Sequence, residues 1–338
     1  MKIRPLAYAL IFIALLTYGL HLARVNSAGV ANFQTRQVQE IDPEVTVEIP
    51  TGATGSAIAK ILFDAGIVKS SQAYFRTAVA DIRSQKVAPG AHRLTLRISS
   101  QQALDQLLDS ARLANMVTIF EGEWKSEVTS SLISYGFSKS EIKTAFSSIN
   151  LPKGFRSAEG LLFPALYSFP SGTSAKEAVG LIVARFENEP VAQEILTANG
   201  QYSPLQLLTI ASIVQSEGDN ADFAKVSRVI RNRLEIGMPL QMDSTVHYIK
   251  GVRGQIFLST TSTLITSPYN TYKNYGLPPG PIGNPGALAM TAALHPAKGD
   301  WLYFITVAPG DTRFTRSDSE FVTWKFLYEK NRRAGAFK

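Results

Sequence analysis

The sequence predicts an α+β protein in three parts: an N-terminal transmembrane helix, a small α+β module and a larger C-terminal α+β domain. Three observations lead to this fold class. An apolar run follows two basic residues at the N-terminus, strand and helix patterns then alternate within a short stretch, and two amphipathic helices later meet at a polar turn. A chain of 338 residues is long enough for two or three domains and a sizeable core.

Composition excludes several kinds of site and partner. The sequence has no cysteine, which rules out disulfides, thiolate metal sites and cysteine nucleophiles, and its four histidines show no metal-ligand spacing. The net charge of +7 is spread thinly and weakly favours an acidic partner, either an anionic membrane surface or an acidic polymer. The sequence contains no basic patch with interleaved aromatic residues, so we expect no nucleic-acid partner.

The apolar run at residues 6–22 predicts a transmembrane signal anchor. Its length is near the lower limit for a membrane span, which needs about 20 residues. The preceding Lys2 and Arg4 would keep residues 1–5 in the cytoplasm, so the rest of the chain would be exported, starting with a polar tether at 23–43. A cleaved signal peptide is the alternative, but the run is long for one and VNSAG is a mediocre cleavage site.

Residues 44–115 predict a small module and a connecting helix. Alternation and turn residues indicate a strand at 45–49, a helix from a cap at Ser56 to Gly66, a second helix at 72–81 and a second strand at 92–98. The connecting helix is expected at 99–109. This order suits a module of LysM type, a class that binds glycans containing N-acetylglucosamine. A generic small packing domain fits the pattern equally well.

Residues 116–338 predict the larger domain. In its first part we expect a strand from 117, helices at 125–135, 140–147 and 176–188, and a loop or short edge strand at 159–170. In its last part we expect a short helix at 290–296, a buried strand at 301–308 and a closing helix at 321–330.

Two helices joined by a short polar turn form the centre of this domain. Ser203 can cap the first helix, and apolar residues recur at helical spacing up to Glu217, after which Gly218 ends the helix. Glu217 continues the apolar stripe and lies at the helix C-terminus, where burial and the helix dipole both disfavour its ionised form. A raised pKa is what a general acid near neutral pH requires. The alternative is a solvated surface glutamate.

The second helix of this pair is predicted from Asp222 to Gly237. Its apolar stripe consists of Val226, Val229, Ile230 and Leu234. Its other positions are rich in arginine and are expected to form a solvated face that includes Arg228, Arg231, Asn232 and Arg233.

Residues 267–286 are dense in proline, glycine, asparagine and tyrosine, a composition typical of a long ordered loop. The interleaved tyrosines and amides suit a sugar, because aromatic faces stack on pyranose C–H groups while amides bond to hydroxyls. A purely structural loop, locked by proline, is the alternative.

Six motifs occur in a fixed order along the chain. They are EGLLFPALY at 159–167, ASIVQSE at 211–217, VSRVIRNRL at 226–234, IGMPLQMDSTVHY at 236–248, the loop at 267–286 and ALHPAKGDWLYFI at 293–305. Together with the expected anchor and LysM-like module, this series resembles the YceG-like endolytic murein transglycosylases over nearly the whole chain. Two departures are Gln215, where relatives often carry a second acid, and Ala165-Leu166, which replaces an Asp-Thr pair.

The resemblance implies cleavage of the β-1,4 bond between N-acetylmuramic acid and N-acetylglucosamine in nascent glycan strands, which leaves 1,6-anhydromuramic ends and terminates strand elongation. Glu217 falls at the position of the family's catalytic glutamate. We expect the sugar to be held by Gln241, Asp243, Tyr269, Asn270, Thr271 and Tyr272. The resemblance implies no metal ion and no organic cofactor.

The resemblance also implies a single-pass inner-membrane protein whose catalytic domain is periplasmic or extracytoplasmic. Its partners would be peptidoglycan strands and, at the membrane, peptidoglycan synthases. One alternative is a catalytically silent peptidoglycan-binding scaffold, which the intact Glu217 motif disfavours. Another is a hydrolytic muramidase, which would need a second carboxylate, for which Asp243 is the nearby candidate. His247 and His295 are expected to be packing residues.

Overall fold

The computed structural model describes residues 30–39, 41–50, 52–114, 116–170, 172–253 and 259–337. The predicted transmembrane anchor at 6–22 lies outside these residues. Of the helices within the described ranges, none combines the length and apolar character needed to cross a membrane. The predicted α+β class is confirmed, and the chain divides into two compact units, Met1–Asn115 with Ser168–Gly172 and Met116–Tyr167 with Thr173–Lys338.

The first unit is built on an antiparallel pair of strands, in which Glu44 lies opposite Thr95 and Ile49 opposite Gly90. Its elements are β1 (Glu44–Ile49), α1 (Gly55–Asp64), α2 (Ser71–Ala80), β2 (Gly90–Thr95) and α3 (Ser100–Leu108), with short 3-10 turns at Ile82–Lys86 and Ser110–Arg112. The predicted order of strand, helix, helix and strand is therefore observed. All five elements contribute to one core, through side chains such as Ile49, Leu62, Tyr74, Leu94 and Leu104.

Two boundaries in this unit differ from the prediction. Thr54, not Ser56, caps α1, because its hydroxyl accepts a hydrogen bond from the amide of Ala57 at 3.2 Å. Strand β2 ends at Thr95, ahead of the predicted end at residue 98, because Arg97 adopts a left-handed backbone conformation with φ of 55°. The assignment of this module to the LysM type stays a prediction.

The second unit contains two pairs of strands and several helices. Strand β3 (Met116–Ile119) pairs with β4 (Ala165–Ser168), and β5 (Tyr303–Ala308) pairs with β6 (Asp311–Thr315). The described helices are α4 (Lys125–Tyr135), α5 (Lys139–Ser148), α6 (Ala175–Glu187), α7 (Pro190–Leu196), α8 (Pro204–Glu217), α9 (Phe223–Glu235), α10 (Asp243–Lys250), α11 (Thr260–Thr263), α12 (Ala287–Leu294) and α13 (Asp318–Arg333).

Helix α8 lies at the centre of the second unit. Its residues 207–214 are all buried, so protein surrounds the helix on every side rather than covering the single stripe that the sequence predicts. Helices α7, α9, α10 and α12 pack against it. This packing fixes the position of Glu217, the last residue of α8.

The last part of the chain departs from the prediction in several elements. Strand β5 is half-buried rather than buried, with only Val307 fully covered, because a two-stranded sheet has little surface to bury. Strand β6 was not predicted, and neither was the short helix α7 earlier in the chain. Asp243 begins a helix, α10, and α12 begins at Ala287 instead of residue 290.

Candidate active site

Glu217 occupies the C-terminal end of α8. The helix begins with a reciprocal cap, in which Ser203 and Gln206 exchange hydrogen bonds, and it ends where Gly218 adopts an extended conformation with φ of −136°. A Cβ atom at Gly218 would lie 3.2 Å from Cγ2 of Val226, so a glycine lets α9 pack closely against the end of α8. The Glu217 side chain is densely surrounded by protein but keeps part of its surface open, as a group that must reach a substrate requires.

Burial raises the pKa of Glu217 to about 7. Ser244 lowers the pKa of Glu217, because its backbone N–H donates to Oε1 of Glu217 at 3.0 Å. The buried Ser244 hydroxyl lies close enough to favour the ionised form as well, although it does not reach hydrogen-bond geometry. The Asp243 carboxylate raises the pKa of Glu217 further, and the Arg233 guanidinium lowers it. The protonated and ionised forms are therefore close in free energy near neutral pH, as the helix pattern predicts.

Two helix ends meet at this carboxyl group. Glu217 lies at the C-terminus of α8, which disfavours a negative charge, while Ser244 belongs to the first turn of α10, where amides without an intrahelical partner favour one. Asp243 is the first residue of α10, and the hydroxyl of Tyr272 donates to its Oδ1. Glu217, Asp243, Ser244 and Tyr272 thus form one cluster.

Arg233 is buried beside this cluster, and the expectation that it belongs to a solvated face is wrong. Its Nε donates to the carbonyl of Leu302 at 2.6 Å, and its Nη1 donates to the carbonyl of Leu240. Arg228 and Arg231 likewise donate to the carbonyls of Ala297 and Ala293. The physical reason is that this face of α9 packs against α12 and β5, whose neighbouring carbonyls need donors.

The predicted sugar-binding residues fall into two groups. Asn270 and Thr271 are buried, and their side chains are occupied by hydrogen bonds inside the protein. The amide nitrogen of Asn270 donates to the carbonyls of Thr263 and Ile265 at 3.0 and 2.7 Å, and Thr271 Oγ1 accepts from the amide of Met242 at 2.9 Å. These two side chains hold the loop in place. Accessible surface remains on the other four, Gln241, Asp243, Tyr269 and Tyr272.

Buried polar contacts fix the loop at 267–286 against α8. Ser212 Oγ accepts from the amide of Ile282 at 3.0 Å, and Gln215 Oε1 accepts from the amide of Gly286 at 2.9 Å. Asn284 donates from its side chain to the carbonyl of Glu123 at 2.7 Å. Gln215 is therefore a loop anchor in this chain.

A cavity of about 260 Å³ adjoins the neighbours of Glu217. Ser216 and Ser244 line it together with Trp124 and His247. Within the described residues, the Ser244 hydroxyl and the Nε2 atom of His247 are buried without a hydrogen-bond partner. Burial lowers the pKa of His247 despite the opposing charge of Asp243, so its imidazole is neutral near pH 7. The sequence pattern did not indicate either of these buried polar groups beside the cavity.

The chain is similar to several characterised proteins. Residues 47–324 match the YceG-like family. The endolytic murein transglycosylase of Bacillus subtilis (strain 168) is 32% identical over 311 residues, 85% of this chain and 86% of that protein. The endolytic murein transglycosylase of Streptococcus pneumoniae serotype 2 (strain D39) is 38% identical over 154 residues, 44% of this chain and 28% of that protein.

Among solved structures, the chain is similar to a YceG-like protein from Listeria monocytogenes. The two structures share a TM-score of 0.57 and 27% sequence identity, over 83% of this chain and 98% of that chain. Because the family match spans most of the sequence and the Bacillus subtilis relative is matched over nearly its full length, the chain belongs to the YceG-like family.

Proposed function

We propose that this protein is an endolytic murein transglycosylase, a lyase that cuts the β-1,4 bond between N-acetylmuramic acid and N-acetylglucosamine within a peptidoglycan strand. The observation that carries the proposal is one carboxyl group, Glu217, with a pKa of about 7 in an accessible cluster. The names of the Bacillus and Streptococcus relatives support the same activity.

The first step is protonation of the leaving group. Glu217, in its acid form, donates its proton to the glycosidic oxygen as the bond from that oxygen to C1 of muramic acid breaks. Positive charge then develops on the sugar ring, and the carboxylates of Asp243 and the newly ionised Glu217 favour it electrostatically. The hydrogen bond from Tyr272 holds the Asp243 carboxylate in place for this role.

The second step closes the product ring. The C6 hydroxyl of muramic acid attacks C1, and the Glu217 carboxylate accepts the hydroxyl proton. Glu217 therefore returns to its acid form, the product carries a 1,6-anhydromuramic end, and water is not consumed. A pKa near neutrality suits both steps of the reaction, since Glu217 must give up a proton in the first step and accept one in the second.

The accessible side chains of the predicted sugar-binding set support a role in holding the sugar. Gln241 is exposed, and its backbone adopts a left-handed conformation. Its backbone N–H donates to the carbonyl of Thr271 at 3.1 Å, which stabilises this conformation. Tyr269 and Tyr272 offer aromatic surface on the loop at 267–286, which also carries Thr271. We assign Asn270 and Thr271 to shaping that loop and Ser244 to holding the Glu217 carboxyl group.

The setting of this activity is a further part of the proposal. The apolar run at residues 6–22 supports anchoring in the inner membrane, with the second unit on the periplasmic or extracytoplasmic side. An anchored enzyme would meet nascent strands where they are made, so peptidoglycan synthases are the partners that we propose.

The test compares Glu217→Gln with a matched variant at the end of the neighbouring helix. Glu235 is also the last residue of its helix, α9, but it is exposed. With uncrosslinked peptidoglycan as substrate, Glu217→Gln should lower the rate of strand cleavage roughly 10²- to 10⁴-fold, the usual contribution of a general acid. Glu235→Gln should cut at the wild-type rate. Full activity in Glu217→Gln would refute the proposed role.

A further inference from the structure

A second, larger cavity of about 760 Å³ lies in the second unit. Three aromatic rings form one wall: Trp124 meets the edge of Tyr248 at 5.9 Å between ring centroids, and Tyr248 packs against Tyr269 at 5.2 Å. The lining also carries a set of side-chain hydroxyls, from Ser126, Thr129, Ser130 and Ser267. Its size and its mixture of apolar and hydroxyl groups are those of a ligand-binding site.

Glu159 holds this aromatic wall together. Its side chain is 6% exposed, and both carboxylate oxygens are engaged. Oε1 accepts from the amide of Lys125, the first residue of α4, at 2.9 Å, and Oε2 accepts from the hydroxyl of Tyr248 in α10 at 3.0 Å. One carboxylate thus ties the start of α4, which carries Trp124 just before it, to the ring of Tyr248.

Helix α10 connects the larger cavity to the Glu217 cluster. Ser244 and Tyr248 are four residues apart in α10, so they lie on one face of the helix, roughly 6 Å apart along its axis. Ser244 contacts Glu217 and lines the smaller cavity, while Tyr248 lines the larger one. Trp124 lines both cavities. An extended strand lying on Glu217 can therefore reach the aromatic wall.

We propose that the larger cavity is a saccharide-binding subsite for glycan residues away from the cleaved bond, and that Glu159 is the positioning residue of its aromatic wall. The ligand class is N-acetylated pyranose, whose C–H faces pack on aromatic rings and whose hydroxyls pair with serine and threonine side chains. This inference rests on the proposed function. Because Lys125 and Lys139 also line the cavity, an acidic stem peptide is the competing occupant.

The experiment measures how affinity depends on strand length. All variants are made in the Glu217→Gln background, and their dissociation constants are measured for uncrosslinked strands of increasing length, with and without stem peptides. Tyr269→Ala removes one ring of the wall. Tyr275→Ala is the matched control, since Tyr275 lies in the same loop, is 72% exposed and does not line the cavity.

If the subsite exists, affinity should rise with strand length until the strand fills the cavity. Tyr269→Ala should abolish that rise, so its dissociation constant for long strands should be at least tenfold higher. Glu159→Ala should show the same loss, and Glu159→Gln should recover most of it, since an amide can accept from Lys125 and donate to Tyr248. Tyr248→Phe, which removes only the hydroxyl, provides a milder test if Glu159→Ala fails to fold. In the active enzyme, Tyr269→Ala and Glu159→Ala should raise KM for long strands by a larger factor than they lower kcat.

Three results would overturn the inference: an unchanged length dependence in Tyr269→Ala, a fall of kcat instead of a rise of KM in the active enzyme, or an effect that vanishes on strands without peptides. The last result would assign the cavity to the stem peptide. Failure of the proposed function is separately visible. In that case, wild-type protein would leave strands uncut while the length-dependent binding and its loss in Tyr269→Ala persisted.

Discussion

At the scale of single residues, the proposed chemistry depends on how Glu217 is surrounded. The C-terminus of α8, burial and the charge of Asp243 favour its acid form, while Ser244 in the first turn of α10 and the buried Arg233 favour the carboxylate. The balance raises the pKa of Glu217 to about 7. A carboxyl group alone in water would be almost fully ionised at that pH and could not start the reaction.

This pKa predicts how activity depends on pH. The free enzyme must be protonated at Glu217 to begin, so kcat/KM should be constant well below pH 7 and fall roughly tenfold per pH unit well above it. Asp243→Asn removes a negative charge that raises the pKa of Glu217, so the fall should begin at lower pH in that variant. The measurement is a pH profile of initial cleavage rates at low substrate. An activity that rises from pH 6 to pH 9 would contradict the account.

The burial and raised pKa of Glu217 were predictable because their signals are local: an apolar stripe, a helix end and a glycine stop. The roles of Asn270 and Arg233 were not. Asn270 bonds to carbonyls of residues 263 and 265, which precede its loop, and Arg233 bonds to carbonyls of residues 240 and 302. Such partners depend on tertiary packing, so a polar residue that serves the fold and one that serves a ligand look alike in the sequence.

Arg233 provides a prediction on stability. Arg233→Met should lower the free energy of unfolding by roughly 2–4 kcal/mol, because it leaves the buried carbonyl of Leu240 and the half-buried carbonyl of Leu302 without their donors. The control is Arg316→Met. Arg316 forms an exposed ion pair with Asp300, at 3.6 Å, which should contribute less than about 1 kcal/mol to the free energy of unfolding. Denaturant unfolding curves measure both, and equal effects would show that the buried contacts of Arg233 do not matter.

At the scale of elements, the second unit uses helix ends and one long loop to build the site. Helix α8 is buried on all sides, and its last residue meets the first turn of α10. The loop at 267–286 lies against α8 through Ser212 and Gln215. The sequence predicted α8 and the loop, but the start of α10 at Asp243 was missed, because the short stretch before it alternates like a strand.

Gly160 marks a close approach of this loop to the rest of the unit. Its φ is +87°, and a Cβ atom there would lie 2.7 Å from Pro281. Gly160→Ala should therefore cost about 1 kcal/mol for the left-handed backbone and roughly 1–3 kcal/mol more for overpacking. Gly237→Ala is the control, because Gly237 also has positive φ, +67°, but nothing lies within 4 Å of its added Cβ. Thermal unfolding should separate the two variants, and indistinguishable melting temperatures would argue against tight packing of the loop.

At the scale of the whole molecule, the order of the motifs was more informative than any one of them. Each motif alone fits a structural explanation, but the series predicted the family, and the family match over residues 47–324 confirms it. The α+β class followed from alternating strand and helix patterns and is confirmed. The half-buried β5–β6 pair shows the limit of such patterns, since an apolar strand signal does not specify what will cover the strand.

The central claim is that one carboxyl group, Glu217, acts first as acid and then as base, so that the C6 hydroxyl of muramic acid and not water attacks C1. The most direct measurement is mass spectrometry of the cleavage products formed in ¹⁸O-labelled water. The account predicts 1,6-anhydromuramic ends without ¹⁸O from wild type, and no such ends from Glu217→Gln. Reducing ends that contain ¹⁸O and disappear in Asp243→Asn would contradict it, because they would identify a hydrolase with two carboxylates.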